Sequence, residues 1–271
     1  MTETQKKLFD AMVWFDSFCR NHHLRYYLIG GTLLGAMRHG GFIPWDDDID
    51  IGMPRNDFER LNEVFKKEDT GKYILEMPDS TASDFCYPIG KLFDSSTTLV
   101  ENVRYRCVRG LYIDIFPIDG IGNSIDEAFK NYKPIKRLYY FYMTRTVAIN
   151  KQRSLGKNIL TILSRIIPDA LVSERSLRIK LNSRCSKFDY ETSKYVGNLL
   201  GTKYEGEIVP KGYFGEPKEA VFEGKMFFVP QETEKYLDHI YGNWRSLPPK
   251  EKQITHHDFI ECDLNKSYLE K

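Results

Sequence analysis

Residues 45–51 read Trp45-Asp46-Asp47-Asp48-Ile49-Asp50-Ile51. The alternation of acid and isoleucine predicts a strand over 46–51. Successive side chains of a strand face opposite sides, so Asp46, Asp48 and Asp50 share one face and Ile49 and Ile51 pack on the other. Aspartate is a poor strand former, and carboxylates held side by side repel one another unless a cation neutralises them. Hard oxygen donors of this kind suit Mg²⁺ or Mn²⁺. An Asp run is more commonly a solvated turn. Here the isoleucine alternation and two upstream glycines argue for a site.

Those glycines lie in Leu28-Ile29-Gly30-Gly31-Thr32, at an expected strand-to-helix junction. Glycine lets a phosphate approach the backbone, and a helix start offers free N–H groups. A Gly-Gly pair alone is usually just a turn, and its value comes from the acidic stretch after it. A further acid, Asp114, is centred in the apolar run Leu111-Tyr112-Ile113-Asp114-Ile115-Phe116-Pro117. An acid in such a strand is costly unless it is paired or metal-bound.

Outward from this nucleus, a spacing of three to four for Leu8, Met12, Phe15 and Cys19 predicts a helix over 4–23. A short strand is expected at 25–29, a helix at 32–38, and a helix after Pro54 capped by Asn56 or Asp57. Strands are expected at 73–75, 89–93, 97–100 and 111–116. Residues 124–190 read as mostly helical, broken at Gly156 and Pro168. A hairpin turning at Glu223-Gly224-Lys225 and a last helix over 231–241 follow. Strands mixed with helices, then a helical block, suggest an α/β or α+β core with a helical insertion. The expected division is a catalytic core at 1–123, a basic helical insertion at 124–190, and a part at 191–271 that completes the catalytic domain.

The 271 residues suffice for one large domain or two small ones. A charge balance of 39 Lys+Arg against 38 Asp+Glu argues against a generally basic nucleic-acid binder. The average hides an asymmetry. From Lys133 to Lys187 there are thirteen Lys+Arg and two acids, a net +11 that leaves −10 on the rest. Basic residues interleaved with Leu138-Tyr139-Tyr140-Phe141-Tyr142-Met143 and Ile159-Leu160-Thr161-Ile162-Leu163 suit an anionic membrane surface or a polyanionic acceptor. A solvated helical insertion is the plain alternative. Five scattered cysteines without a CxxC pair read as reduced thiols. With no apolar leader and no run of about 18 apolar residues, the expected location is cytoplasmic, peripheral at the inner face of the plasma membrane.

The run Tyr27-Leu28-Ile29-Gly30-Gly31-Thr32-Leu33-Leu34-Gly35-Ala36-Met37-Arg38-His39-Gly40-Gly41-Phe42-Ile43-Pro44-Trp45-Asp46-Asp47-Asp48-Ile49-Asp50-Ile51 resembles the LicD family of phosphocholine transferases, with fukutin and fukutin-related protein as distant relatives. Lys91-Leu92-Phe93-Asp94, Ile113 to Gly120, Phe222-Glu223-Gly224-Lys225, Tyr241-Gly242-Asn243-Trp244 and His256-His257 are similar to later blocks of that family. The central block, about 124–190, carries the least likeness. The resemblance implies an α+β fold of the nucleotidyltransferase, polymerase β type: a mixed sheet core with helices. The sixteen residues between Gly31 and Asp48 exceed that superfamily's usual gap. Both Asp46 and Asp48 therefore stay candidates for the first ligand place.

The implied reaction moves phosphocholine from CDP-choline to a sugar hydroxyl of a surface glycopolymer of teichoic acid or lipopolysaccharide type, releasing CMP. Mg²⁺ or Mn²⁺ on Asp48, Asp50 and Asp114 suits phosphoryl transfer. Arg38 and Lys91 are the candidates for neutralising the leaving group, with a structural ion pair as the plain alternative for each. Gly30, Gly31 and Thr32 are candidates for holding a substrate phosphate, and Asp46 is a further candidate for substrate binding. A quaternary ammonium asks for an aromatic cage, for which Trp45, Tyr87, Tyr241 and Trp244 are the candidates. His256 and His257 are expected at the site's edge; with Cys262 they lack a fourth zinc ligand at matching spacing. The expected partners are the CDP-choline donor and a lipid-linked glycopolymer acceptor, without nucleic acid. Alternatives are transfer of another CDP-linked alcohol phosphate such as ribitol phosphate, nucleotidyl transfer to a small molecule, and a catalytically silent binding protein.

Overall fold

The computed structural model describes residues 1–82, 84–104, 107–149, 154–255 and 259–270. Helix α1 (Glu3–Asn21) opens on a capping box in which the Thr2 hydroxyl accepts from the Gln5 N–H and Gln5 Oε1 accepts from the Thr2 N–H. Its Leu8, Met12, Phe15 and Cys19 face inward as their spacing requires. Strand β1 (Tyr27–Leu28) leads into α2 (Gly30–His39), then β2 (Asp50–Pro54) and α3 (Arg55–Phe65). Strands β3 (Tyr73–Glu76), β4 (Gly90–Glu101) and β5 (Cys107–Gly122) follow. Three helices come next: α4 (Ile125–Thr146), α5 (Leu155–Arg165) and α6 (Glu174–Cys185). The chain finishes with β6 (Tyr195–Gly197), β7 (Ile208–Pro210), the hairpin β8 (Lys218–Phe222) and β9 (Lys225–Val229), α7 (Thr233–Tyr241) and β10 (Phe259–Asp263).

Eight strands form one mixed sheet with the central order β1-β2-β5-β4-β10; β3 adds to β4, and β6 links β5 to β7. The β2/β5 pair is parallel, and the other pairs are antiparallel. This mixed arrangement of strands and helices agrees with the mixed fold class expected from the sequence.

One large core joins α1, α2, α3 and the β8/β9 hairpin to the sheet through Met12, Phe15, Leu33, Ile51, Phe58 and Ile115. A second core lies under α4 and α6, where Tyr132, Ile135, Tyr142 and Leu181 meet Ile121, Leu199 and Ile208. The hairpin turns at Glu223 and Gly224, with φ of 49° and 79°. Both residues of a two-residue type I′ turn need that left-handed backbone. Among the described residues no helix is long and apolar enough to cross a membrane.

Several local expectations are corrected. The acidic segment is not one strand. Asp46 closes a turn by donating its N–H to Ile43 O at 2.9 Å, and only Asp50 and Ile51 enter β2. Four acids in five positions were too poor a strand sequence to pair further. The segments 89–93 and 97–100 are one strand, β4, with a register shift between Asp94 and Leu99. Gly156 does not break a helix but lies in the first turn of α5, whereas the chain does leave the helix before Pro168. Pro54, not Asn56 or Asp57, holds the cap position of α3; the Asp57 carboxylate instead accepts from Arg25 Nε at 2.7 Å.

Candidate active site

The two cores leave a cavity of about 560 Å³ between them. Its acidic wall comes from the sheet. Asp50 on β2 is the direct partner of Asp114 on β5, and Asp114 is the direct partner of Lys91 on β4. These three residues therefore form a row across adjacent strands, with one side-chain direction imposed by the pleat. Asp46 and Asp48 reach the same cavity from the turn that precedes β2.

Helix α2 holds this wall from behind. The Asp50 N–H donates to Thr32 Oγ1 at 2.8 Å, and Gln5 Nε2 donates to Asp46 O at 2.8 Å. A Cβ at Gly30 would stand 2.5 Å from Asp50 Oδ2, and one at Gly31 would stand 2.5 Å from Asp46 Oδ2. Gly30 also has a φ of 57°. The glycines thus admit the two carboxylates to the start of α2, where free N–H groups favour negative charge. The sequence reading had assigned that space to a phosphate. The glycines still line the cavity, but the side facing away from their backbone is filled by the acids.

Lys91 is nearly enclosed. Its Nζ sits 2.5 Å from Asp114 Oδ1, 3.3 Å from the centroid of the Tyr112 ring and 4.2 Å from that of Tyr87. An ion pair and two aromatic faces offset its loss of water. Asp50 carries no such partner cation in this row, and its carboxyl is pushed well above the ordinary range by burial first and then by Asp48, Asp114, Asp46 and Glu207.

Of the opposite wall, sequence motifs point only to Tyr241 of α7; the rest comprises Tyr139 and Met143 of α4, Asn198, Leu200 to Lys203, Glu207, and Tyr236 of α7. Burial raises Glu207 to about 7; its Oε1 accepts from the Lys203 N–H at 3.0 Å, and a Cβ at Gly201 would collide with its carboxylate. A carboxyl poised there can exchange a proton at neutral pH. Lys203 also lines the cavity, with Nζ 5.4 Å from the Tyr241 centroid.

Of the residues nominated from the sequence, Gly30, Gly31, Asp46, Asp48, Asp50, Tyr87, Lys91, Asp114 and Tyr241 line this one cavity. Thr32 stands behind it, its hydroxyl committed to the Asp50 N–H. Arg38 is elsewhere: its guanidinium donates to Trp244 O at 3.0 Å and Ser246 O at 3.3 Å and so fastens the chain after α7. Trp45 packs on the main core with its ring edge-on to His39, and Trp244 is buried in that core under Arg245. Neither tryptophan lines the cavity. Nearness in sequence to the acids and to α7 did not translate into facing the same space. His256 and His257 lie outside the described residues.

The donor set fits a hard divalent cation in its chemistry, since the four carboxylates of Asp46, Asp48, Asp50 and Asp114 face the cavity. Among the described residues no three ligating side chains already converge on one point. Asp114 pairs with Lys91.

Residues 23–144 match the family described as LicD/FKTN/FKRP, nucleotidyltransferase domain. Over 262 residues, 95% of this chain and 96% of the relative, the sequence is 29% identical to the lipopolysaccharide cholinephosphotransferase LicD of Haemophilus influenzae. A stretch of 30 residues, 11% of this chain and 6% of the relative, is 63% identical to the human ribitol 5-phosphate transferase FKRP. A third relative is mannosyltransferase regulator 4 of Saccharomyces cerevisiae, 29% identical over 86 residues, 29% of this chain and 7% of that one.

Proposed function

With residues 23–144 belonging to the LicD family, we propose that this chain transfers phosphocholine from CDP-choline to a sugar hydroxyl of a cell-surface glycopolymer precursor, releasing CMP. The coarser class, a transferase of alcohol-phosphate groups, is what the relatives' names support. The observation that carries the reading is the row Asp50, Asp114 and Lys91 across β2, β5 and β4, facing one cavity beside Gly30 and Gly31. A parallel strand pair with an acid on each strand, next to a Gly-Gly helix start, supports a nucleotidyltransferase-like core made by 1–123 and 191–271, with 124–190 as the insertion that supplies Tyr139 and Met143.

Asp48, Asp50 and Asp114 would hold Mg²⁺ or Mn²⁺, which when bound supplies charge neutralisation on the phosphate oxygens. The protein's own groups do the rest. Lys91 pairs with the Asp114 carboxylate and holds it in place. Lys203 favours an anionic donor in the cavity. A carboxylate of the acidic wall accepts the proton of the attacking hydroxyl. Tyr139, Tyr236 and Tyr241 present aromatic surface for a trimethylammonium group, while the face of Tyr87 is shared with Lys91. Arg38 has no part, being bound outside the cavity.

The short match to a ribitol phosphate transferase favours a second reading, transfer of a different CDP-linked alcohol phosphate. Incubation with CDP-choline, CDP-ethanolamine and CDP-ribitol, with Mg²⁺ and a glycan acceptor, separates the two through CMP release. CDP-choline is expected to turn over fastest and only with acceptor present. Preference for CDP-ribitol, or equal turnover of the choline and ethanolamine donors, overturns the phosphocholine assignment.

A further inference from the structure

Helix α5 is built with its polar side inward. Its buried residues are Thr161 and Ser164. The Ser164 hydroxyl bonds to Thr161 O and Thr144 O, and that of Thr161 to Lys157 O. The large apolar residues point the other way: Leu155, Ile159, Ile162, Leu163 and Ile166 are all exposed, Leu155 at 77% and Ile166 at 69%. Their spacing of four, three, one and three puts them on one face of the helix. Isoleucine and leucine at such positions are expected to set the buried side of a helix, so the orientation of α5 needs another cause.

Hydrogen bonds supply it. Arg145, fully buried at the end of α4, donates to Ser164 O and to Ile167 O at 3.1 Å and pairs with Asp169. Arg165 donates to Val147 O. These contacts hold α5 against the last turn of α4, the turn whose Thr146 lines the cavity. The apolar face is left outward by construction.

We propose that this face of α5 lies in the interface of a bilayer containing anionic lipids. A contiguous exposed apolar strip marks an interaction surface, and the charges around it select the partner. Helix α5 itself carries Lys157 and Arg165 and no acid, and the chain has no acidic residue between Glu127 and Asp169. That composition complements an anionic headgroup layer. It does not complement a second copy of itself, where the same basic segments would meet across a two-fold axis.

The basis differs from the general attraction expected of residues 133–187. Arg145 and Arg178 are buried, with Arg178 donating to Pro78 O, Ser80 O and Phe85 O, and Lys136 is paired with Glu205. Those charges are not offered to a membrane. Attachment through α5 therefore rests on apolar burial as well as on charge and persists in part at high salt.

Co-sedimentation tests this with vesicles of phosphatidylcholine alone and with about 30% phosphatidylglycerol, at low and high salt. The protein is expected to pellet with the anionic vesicles and to retain a fraction of that binding at high salt. The neutral double variant Ile159→Asn, Leu163→Gln is expected to bind at least about tenfold more weakly. Its thermal midpoint should change little, since both side chains are about half exposed. Absence of binding to anionic vesicles, equal binding by the variant, or a concentration-dependent dimer that the variant abolishes would each overturn the proposal. Vesicles without donor or acceptor suffice, so the outcome is independent of the transferase reading.

Discussion

Asp50 and Asp114 stand directly opposite each other in the parallel pairing of β2 and β5, and Lys91 stands directly beside Asp114 on β4. A one-residue slip in either pairing would turn one of these side chains to the other face of the sheet. The row is therefore a property of the register. Its charge is uneven: two carboxylates share one ammonium, and burial, followed by the neighbouring carboxylates, pushes the Asp50 carboxyl up.

Replacing Asp50 or Asp114 with Asn should lower CMP release by several orders of magnitude while the protein stays folded. For Asp50→Asn the thermal midpoint should hold or rise, because a buried, repelled carboxylate has been neutralised. Melting curves and turnover on the same preparations check this. Near-normal turnover by Asp50→Asn would remove that residue from the catalytic machinery.

Lys91 has the opposite role in stability. Lys91→Met leaves Asp114 beside Asp50 with its cation gone, and loss of one partner of a buried pair costs about 3–5 kcal/mol. Since Asp114 is partly accessible, the lower end of that range is expected. The double variant Lys91→Met, Asp114→Asn should recover most of the loss in urea unfolding. If both variants unfold at the same urea concentration, the ion pair does not carry the effect.

Asp119 follows Asp114 on β5 by five residues and so faces the other side of the sheet. There it takes a bidentate bond from Arg55, with Nε–Oδ1 at 2.7 Å and Nη2–Oδ2 at 2.8 Å, and neither residue is exposed to water. Asp119→Ala strands a buried guanidinium, whose remaining partners are Asn182 Oδ1 and, at 4.0 Å, the exposed Glu59, and should cost about 3–5 kcal/mol. Chemical unfolding measures it; a loss below about 1 kcal/mol would mean that water reaches Arg55.

The legible part of the site is the part where a charge interrupts an apolar run. Asp50 and Asp114 each sit between isoleucines, and that cost advertised them, whereas Lys91 is pointed to by the resemblance of its block. Glu207, Tyr139 and Tyr236 gave no such signal. Glu207 ends a single 3-10 turn before a three-residue strand, and its environment is made by Gly201 and Lys203 folding back over it. Tyr139 and Tyr236 lie on helices whose other aromatics serve the cores, and sequence spacing does not tell a cavity-facing tyrosine from a core one. Strands β6, β7 and β10 escaped notice for a related reason, since three to five residues are too few to show a period of two. Trp45 is pointed to by adjacency to the acids and Arg38 by following the glycines along α2, yet a turn and a helix end carry them to other faces.

Glu207 offers a pH test with a defined sign. Burial raises its carboxyl from the ordinary 4.5 to about 7 in the folded protein. Between those values the folded state holds a proton that the unfolded state has lost, so this residue's contribution makes stability fall as pH rises from about 4.5 to about 7. Above that range the folded protein carries the full cost of a buried carboxylate. Glu207→Gln keeps an oxygen for the Lys203 N–H and removes the titration. Relative to the parent, the variant should gain roughly 1–3 kcal/mol between pH 5 and pH 8. Urea unfolding of both proteins at the two pH values measures the difference, and subtraction cancels the titration of every other group. A variant whose relative stability is the same at both pH values would show that Glu207 does not hold a raised pKa.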